Sequence, residues 1–474
     1  MIRWVGSIAA VVRSTERVPI LALLALALVT APADAQRIQL EKRIQRTTLA
    51  NGLEVIVVEN PGVPLVTLEV VVRNGAFTQT PEFEGLAHLY EHMIFGANTH
   101  YPQAQDFLAR LSELGADYNG RTSEEAVNYW LTLAADSIEP AMRVLASALR
   151  EPSFRNDELE REREVVIGEY DRNESNPFYH LQRGVDRVLW TTAWSRKNPL
   201  GERKVIQSTT PAQMREIQRK YYVPNNTALI VTGAISAQRV FQLANSIFGD
   251  WKRAPDPFVA DPIPPVPPLD GNKAVIVERP VGTVLLMLRW HGPSARGDVA
   301  ATYAADVFSD VLNQDGSRFK RKLVDGGFFH SIQVHYYTLN HTGPITIFGE
   351  TSPENLRPAL AALEAELERV DDPGYFSAAE LETVTQRRIA DTMFNLERSS
   401  GFAHQLAFWW SVTGLDYFLG YVDAMARQTP DELRAYARKY LIGKPHVTGV
   451  LLAPAVRQRL GLTEDELVGR RGTP

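Results

Sequence analysis

The chain has 474 residues, 45% of them hydrophobic, with 50 Lys+Arg against 56 Asp+Glu for a net charge of −6. That length accommodates about two to four domains, and the apolar content excludes a disordered chain. The mild charge balance argues against a dedicated nucleic-acid binder, which carries a basic patch or stripe. The absence of cysteine excludes disulfides, thiol nucleophiles, thiolate metal ligands and a lipidated cysteine.

Residues 1–35 read as a secretory signal peptide. Arg3, Arg13 and Arg17 make a basic start, Ile20 to Val29 an apolar run, and Ala33-Asp34-Ala35 a small-residue cleavage site. The run is too short to span a bilayer, which takes about 20 apolar residues. No later segment holds a spanning run, so the mature chain is expected to be soluble and periplasmic or secreted. Leu53–Glu59 and Leu65–Arg73 read as strands around Asn60-Pro61-Gly62. Helical periodicity follows over Leu86–Phe95, Ala104–Leu114, Ile138–Leu149 and Asp157–Asn173, and a strand over Thr227–Val231 closes the half. Pro255 to Pro268 contains seven prolines, predicting an extended, semi-rigid spacer with no helix. Beyond it the plan repeats. Lys273–Glu278 and Thr283–Trp290 read as strands, Ala300–Leu312, Pro353–Leu367 and Ala378–Phe394 as helices, and Val447–Leu452 as the closing strand.

The halves, 36–254 and 269–474, read as copies of one unit. Thr210–Tyr221 and Thr429–Tyr440 share six of twelve residues at an offset of 219. The Phe154…Glu158-Leu159-Glu160 pattern recurs as Phe376…Glu380-Leu381-Glu382 at an offset of 222. A repeat this long is a domain duplication rather than a solenoid. The expected fold is α+β: two homologous α/β sandwich, or roll, domains, each an antiparallel-rich sheet packed against helices.

Residues 88–92 are His-Leu-Tyr-Glu-His. On a helix His88 and His92 are one turn apart and project from one face, where both can bind one cation. Glu91 lies beside them, in the inverse of the common zinc-protease motif. A catalytic zinc takes three protein ligands and keeps one position open. Without cysteine the third must be His, Asp or Glu, and the helix over 157–173 offers Glu162 and Glu169, two turns apart on one face. Val165 and Val166 between them suggest that this face enters the core. Glu158, Glu160, Arg161 and Arg163 read as its solvated side. Two further features are set aside. His335 and His341 lie in a strand region without a third ligand, and Phe408-Trp409-Trp410 reads as core or interface. No P-loop or dinucleotide fingerprint occurs.

The His88-Leu-Tyr-Glu91-His92 motif, with Glu169 following 77 positions later in Glu162-Arg-Glu-Val-Val-Ile-Gly-Glu169, resembles the pitrilysin/insulinase family of zinc metallopeptidases. Asn51-Gly-Leu, Gly75-Ala76 and Gly85-Leu-Ala-His-Leu add to the resemblance, which covers nearly the whole mature chain and is similar in size to mitochondrial processing peptidase subunits and bacterial relatives. The resemblance implies one zinc ion held by His88, His92 and Glu169, with Glu91 as general base and Glu162 as a supporting acidic residue. Asn119 matches the Asn of the family's Asn-Ala-x-Thr edge strand, to which a peptide substrate adds as an extra strand. Here Gly120 replaces the usual Ala.

The second half departs from the pattern. Ala301–Asp310 contains no histidine, and Asp391 falls at the repeat position of Glu169. The family's oxyanion-stabilising Arg and Tyr are missing from Leu323-Val-Asp-Gly-Gly-Phe-Phe-His330: Val324 stands for the Arg, and His330 falls near the Tyr. Either His330, Tyr336 or Tyr337 substitutes, or a homologous partner chain supplies the pair. The second option is favoured here, a heterodimer before a homodimer. The resemblance therefore implies an exported zinc endopeptidase acting on peptides or unfolded segments, the catalytic subunit of a two-chain enzyme in the family's manner. Its rivals are a non-enzymatic assembly subunit and a dedicated maturase of one small precursor.

Overall fold

Strands mostly rich in Val, Ile and Leu build two sheets, seen in a computed structural model that describes residues 41–469. The expected signal segment lies outside those residues. The first sheet has strands β1 (Ile44–Thr48), β2 (Glu54–Glu59), β3 (Leu65–Val72), β4 (Asp117–Thr122), β5 (Val127–Ala134) and β6 (Thr227–Gly233). Their order is β1-β2-β6-β3-β5-β4. Only β2 and β6 pair in parallel, and β4 is an edge. The helices of this half are α1 (Leu86–Ile94), α2 (Ala104–Glu113), α3 (Ile138–Arg150), α4 (Asn156–Glu174), α5 (Pro177–Trp190), α6 (Arg203–Ser208), α7 (Pro211–Tyr221) and α8 (Ala237–Phe248).

The second sheet repeats the order without the first strand. It comprises β7 (Lys273–Glu278), β8 (Val284–His291), β9 (Ser331–Tyr336), β10 (Pro344–Thr351) and β11 (His446–Leu452), in the order β7-β11-β8-β10-β9. Again the first pair, β7 and β11, is parallel and the rest antiparallel. Its longer helices are α9 (Val299–Asn313), α10 (Leu356–Arg369), α11 (Ala378–Glu397), α12 (Ser399–Val412), α13 (Leu415–Ala426) and α14 (Pro430–Tyr440). The α+β architecture expected from the sequence, with antiparallel-rich sheets backed by helices, is the one observed.

Strand alternation decides what covers each sheet. Val55, Val57, Val66, Leu68, Val70, Leu229 and Val231 face a core closed by the first half's own helices. Ile56, Val58, Val71, Ala228 and Ile230 face the other way, where α12 of the second half lies across β3 and β6. The exchange is mutual. Leu181, Val185, Leu189 and Trp190 of α5 pack onto Met287, Val447 and Leu451 of the second sheet. Gly449 makes that approach possible, because a Cβ there would lie 2.3 Å from Val185 Cγ2 and 2.8 Å from Leu181 Cδ1. Polar ties reinforce both crossings. Arg289 pairs with Asp186 of α5, and fully buried Glu69 binds Asn128 and, at 2.7 Å, His404 of α12. Arg73 stacks 3.8 Å over Trp410 and donates to its carbonyl.

Three expectations need correction. The proline segment is not wholly extended: Pro257–Ala260 forms a helical turn, because Asp256 caps it through Phe258 N and proline suits the first helical position. Phe258 also packs against Phe77 and Tyr221, so this segment is docked. On α4, Val165 is 45% exposed and only Val166 is buried, so the Glu162/Glu169 face borders a cleft instead of entering the core. Glu158 is buried, not solvated, with its carboxylate accepting from Ala97 N at 3.1 Å. Arg163 is half-buried and donates to the Thr209 carbonyl.

Candidate metal centre

Helix α1 is anchored at both ends. Gly85 precedes it with φ +92, a left-handed conformation that favours glycine. Buried Gln79 accepts from Gly85 N at 2.9 Å through Oε1 and donates from Nε2 to Ser195 O and Asn198 O. Past the C-terminus, Glu158 of α4 holds Ala97 N, tying α1 to the helix that carries the candidate carboxylates. Leu86, Leu89, Tyr90 and Met93 form the buried stripe. Tyr90 packs 4.1 Å from the Tyr222 ring, and Tyr222 exchanges a 2.7 Å hydrogen bond with Tyr129.

The opposite face carries His88, Glu91 and His92 into a cleft of about 670 Å³, together with Glu162 and Glu169 of α4 and Tyr118–Thr122 of β4. Such a volume falls in the range of ligand sites. His88 Nε2 lies 3.4 Å from Glu169 Oε2, and His92 Nε2 lies 3.8 Å from Glu169 Oε1. One donor atom from each of the three residues falls within 4.8 Å of the others, and this is the one such group among the described residues. Tetrahedral ligands at roughly 2.0–2.1 Å from a zinc ion stand about 3.4 Å apart, so the cluster fits a zinc-sized cation. Glu162 Oε2 sits 3.4 Å from His92 Nδ1. A carboxylate there accepts from Nδ1–H and fixes the tautomer that leaves Nε2 with a free lone pair, the usual support of a metal-binding histidine.

Electrostatics separates the two histidines. Burial, with the charge of His92, lowers the His88 pKa to about 4, so its ring is neutral at physiological pH, as a ligand requires. Burial also acts on His92, but the hydrogen bond to Glu162 and the charges of Glu91, Glu169 and Glu162 outweigh it and raise that pKa. The same contact with His92 lowers the Glu162 pKa. Burial raises that of Glu91, opposed by Thr122, whose Oγ1 donates to Glu91 Oε2 at 2.8 Å.

All six residues singled out in the sequence thus border one cleft: His88, Glu91, His92, Glu162 and Glu169, with Asn119 exposed on β4. Asn119 Oδ1 accepts from Gly120 N at 2.8 Å. The sequence reading missed Gln79, Thr122 and Glu158. Spacing from the motif gives no signal for Gln79 or Glu158, whereas Thr122 stands at the threonine of the Asn-Ala-x-Thr pattern that singled out Asn119. The three second-half candidates lie outside the cleft, whose lining comes wholly from residues 88–169. His330 is exposed, Tyr336 donates its hydroxyl to Pro293 O in the second core, and Tyr337 bonds Glu124. His341 is engaged by Glu125 Oε1 at 2.9 Å.

Residues 54–203 match the family model described as Insulinase (Peptidase family M16), and residues 208–387 match the one described as Peptidase M16 inactive domain. The chain is 24% identical over 398 residues to the zinc protease PqqE of Helicobacter pylori, spanning 81% of this chain and 87% of that one. It is 23% identical over 371 residues to the zinc protease YmxG of Bacillus subtilis, spanning 75% and 85%. Among solved structures, a protease from Helicobacter pylori superposes with a TM-score of 0.77 at 22% identity, covering 86% of this chain and 99% of that one. The first half of the periplasmic protease PqqL from Escherichia coli superposes with a TM-score of 0.73 at 17% identity, covering 91% and 98%.

Proposed function

The chain belongs to the pitrilysin/insulinase family of zinc metallopeptidases, and from that premise we propose that it is a zinc-dependent endopeptidase cutting peptides or unfolded segments. The observation that carries the reading is the convergence of His88, His92 and Glu169 donor atoms beside Glu91 in one cleft. His88, His92 and Glu169 would hold one zinc ion, with Glu162 orienting His92. A zinc ion bound there supplies a Lewis acid that polarises the scissile carbonyl and acidifies water. Glu91 takes the proton of the attacking water on its carboxylate and passes it to the leaving amine nitrogen. A raised pKa suits a group that must both accept and return a proton. The free edge of β4, with Asn119, takes the substrate main chain as an added strand.

Export belongs to the same reading. The basic, apolar and Ala-Asp-Ala segments at the start support it, and a fold neighbour is named as periplasmic. No helix among the described residues is long and apolar enough to cross a membrane. A homologous partner chain supplies the missing oxyanion Arg and Tyr. The lining of the cleft by first-half residues alone supports this, since an oxyanion donor contributes about 3–4 kcal/mol.

The test is a comparison of the purified chain with its Glu91→Gln variant. Both are expected to bind one zinc per chain by metal analysis. The unmodified chain should cleave an unfolded peptide slowly, and the variant at least about 100-fold more slowly still. Cleavage unaffected by the substitution would eliminate Glu91 as the base, and fast turnover by the single chain would sink the partner.

A further inference from the structure

This inference rests on the peptidase reading and concerns how Glu91 is aimed. Gly120 does not have the left-handed backbone that calls for glycine. What it supplies is space: a Cβ there would lie 2.6 Å from Glu91 Oε1, 2.8 Å from Cγ and 3.0 Å from Cδ. The carboxylate therefore lies against the bare main chain of β4. Two residues along on the same face of the strand, Thr122 Oγ1 donates to Glu91 Oε2 at 2.8 Å. The strand behind this contact is held firmly. Gly120 pairs with Tyr129, which is fully buried, packs on Phe95 and bonds Tyr222.

We propose that Gly120 and Thr122 are positioning residues forming a seat for the Glu91 carboxylate, so that the strand offering its edge to substrate also aims the base. The bare Cα and the hydroxyl act together. One lets the carboxylate lie flat on the strand, and the other fixes its rotation by binding Oε2. The bare Cα is this chain's departure from the family pattern, which carries alanine here. A methyl group at 120 has to displace Glu91, since the flexible carboxylate yields more easily than a backbone paired with a buried tyrosine.

The experiment uses the full zinc-loaded chain carrying Gly120→Ala, Thr122→Val or Thr122→Ser. Gly120→Ala is expected to lower kcat about 100-fold, as a misplacement near 1 Å does, with KM within threefold and zinc stoichiometry unchanged. Thr122→Val should lower kcat about tenfold, as one lost hydrogen bond does, and Thr122→Ser should recover most of it. Independently of activity, a crystal structure of the Gly120→Ala protein should show Glu91 moved off Thr122. An intact Glu91–Thr122 hydrogen bond in that structure overturns the proposal. So does a kcat near the unmodified value, or a raised KM at constant kcat, which would assign Gly120 to substrate binding. If the unmodified zinc-loaded chain does not cleave, the peptidase reading fails, while the crystallographic readout still decides the seat.

Discussion

His88 and His92 are one turn apart on one helix, yet their surroundings push them in opposite directions. Burial drives His88 toward the neutral form, with a pKa of about 4. In the metal-free protein the unfolded chain therefore binds more protons at His88 between about pH 4 and 6.5, and stability falls as pH falls through that window. His92 has the opposite sign. Its raised pKa contributes stability that is present below about pH 6.5 and lost as pH rises through the folded value. Below pH 6.5 His92 is charged in both states, so His88 dominates the histidine contribution there. Chelator-treated protein should lose on the order of 1–3 kcal/mol through His88 between about pH 6.5 and 4.5. His88→Gln should flatten that slope in urea titrations across this range. Equal slopes in the two proteins would remove His88 as the source. The motif announced the candidate ligand pair, but not this asymmetry. It arises because α4 brings Glu162 to His92 and nothing to His88 Nδ1, which is buried without a partner.

Helices α7 and α14 show how far duplication reaches at the level of elements. Each starts at a threonine whose hydroxyl accepts from the third helical N–H. Each also has a Gln or Glu at that third position reaching back, Gln213 Oε1 to Thr210 N at 3.0 Å and Glu432 Oε2 to Thr429 N at 2.7 Å. Both are capping boxes with proline at the first position. Thr210→Ala and Thr429→Ala should each cost about 1 kcal/mol. Sharing no partner, they should add within about 0.5 kcal/mol in urea unfolding. A double variant departing by more than about 1 kcal/mol would indicate coupling between the two ends. The α1 and α9 pair diverged instead. Like α1 against α4 and β4, α9 packs against α11 and β9. Its inward carboxylates Asp306 and Asp310, one turn apart, meet Tyr421 and the guanidinium of Arg388, which binds Asp310 through two contacts of 2.5 and 2.9 Å. A paired cation from α11 stands where the first half gathers its candidate ligand set.

At the scale of the molecule, each sheet is closed on one face by a helix from the other half. Neither half buries its own sheet fully, so the two are expected to unfold as one cooperative unit. Gly449 reports on this most directly, since the packed surroundings of Val185 and Leu181 leave no room for a methyl group. Gly449→Ala should destabilise the whole chain by about 1–3 kcal/mol in a single transition, with zinc stoichiometry unchanged. Two separated transitions, or no loss, would show that α5 is not docked as described. The docking also joins the hairpin tips of the two halves. Glu125, between β4 and β5, accepts from Asn340 N at 2.6 Å and His341 N at 2.9 Å, beside the strand that seats Glu91.

By itself the sequence determined the helices and strands whose periodicity is local, the duplication, and the candidate ligand types. An i, i+4 histidine pair on a helix projects from one face whatever the tertiary surroundings, and a chain without cysteine leaves only His, Asp and Glu to complete the set. The tertiary structure decided what spacing cannot encode. It turned the Glu162/Glu169 face to a cleft, buried Glu158 against Ala97, laid Glu91 on Gly120, and kept second-half residues out of the cleft lining. Each of these depends on which strand or helix from a distant part of the chain arrives beside the site. The exchange of α5 and α12 between sheets is the largest example. An amphipathic helix announces that it needs an apolar partner, but the choice between its own sheet and the other half's is made only when both sheets are packed.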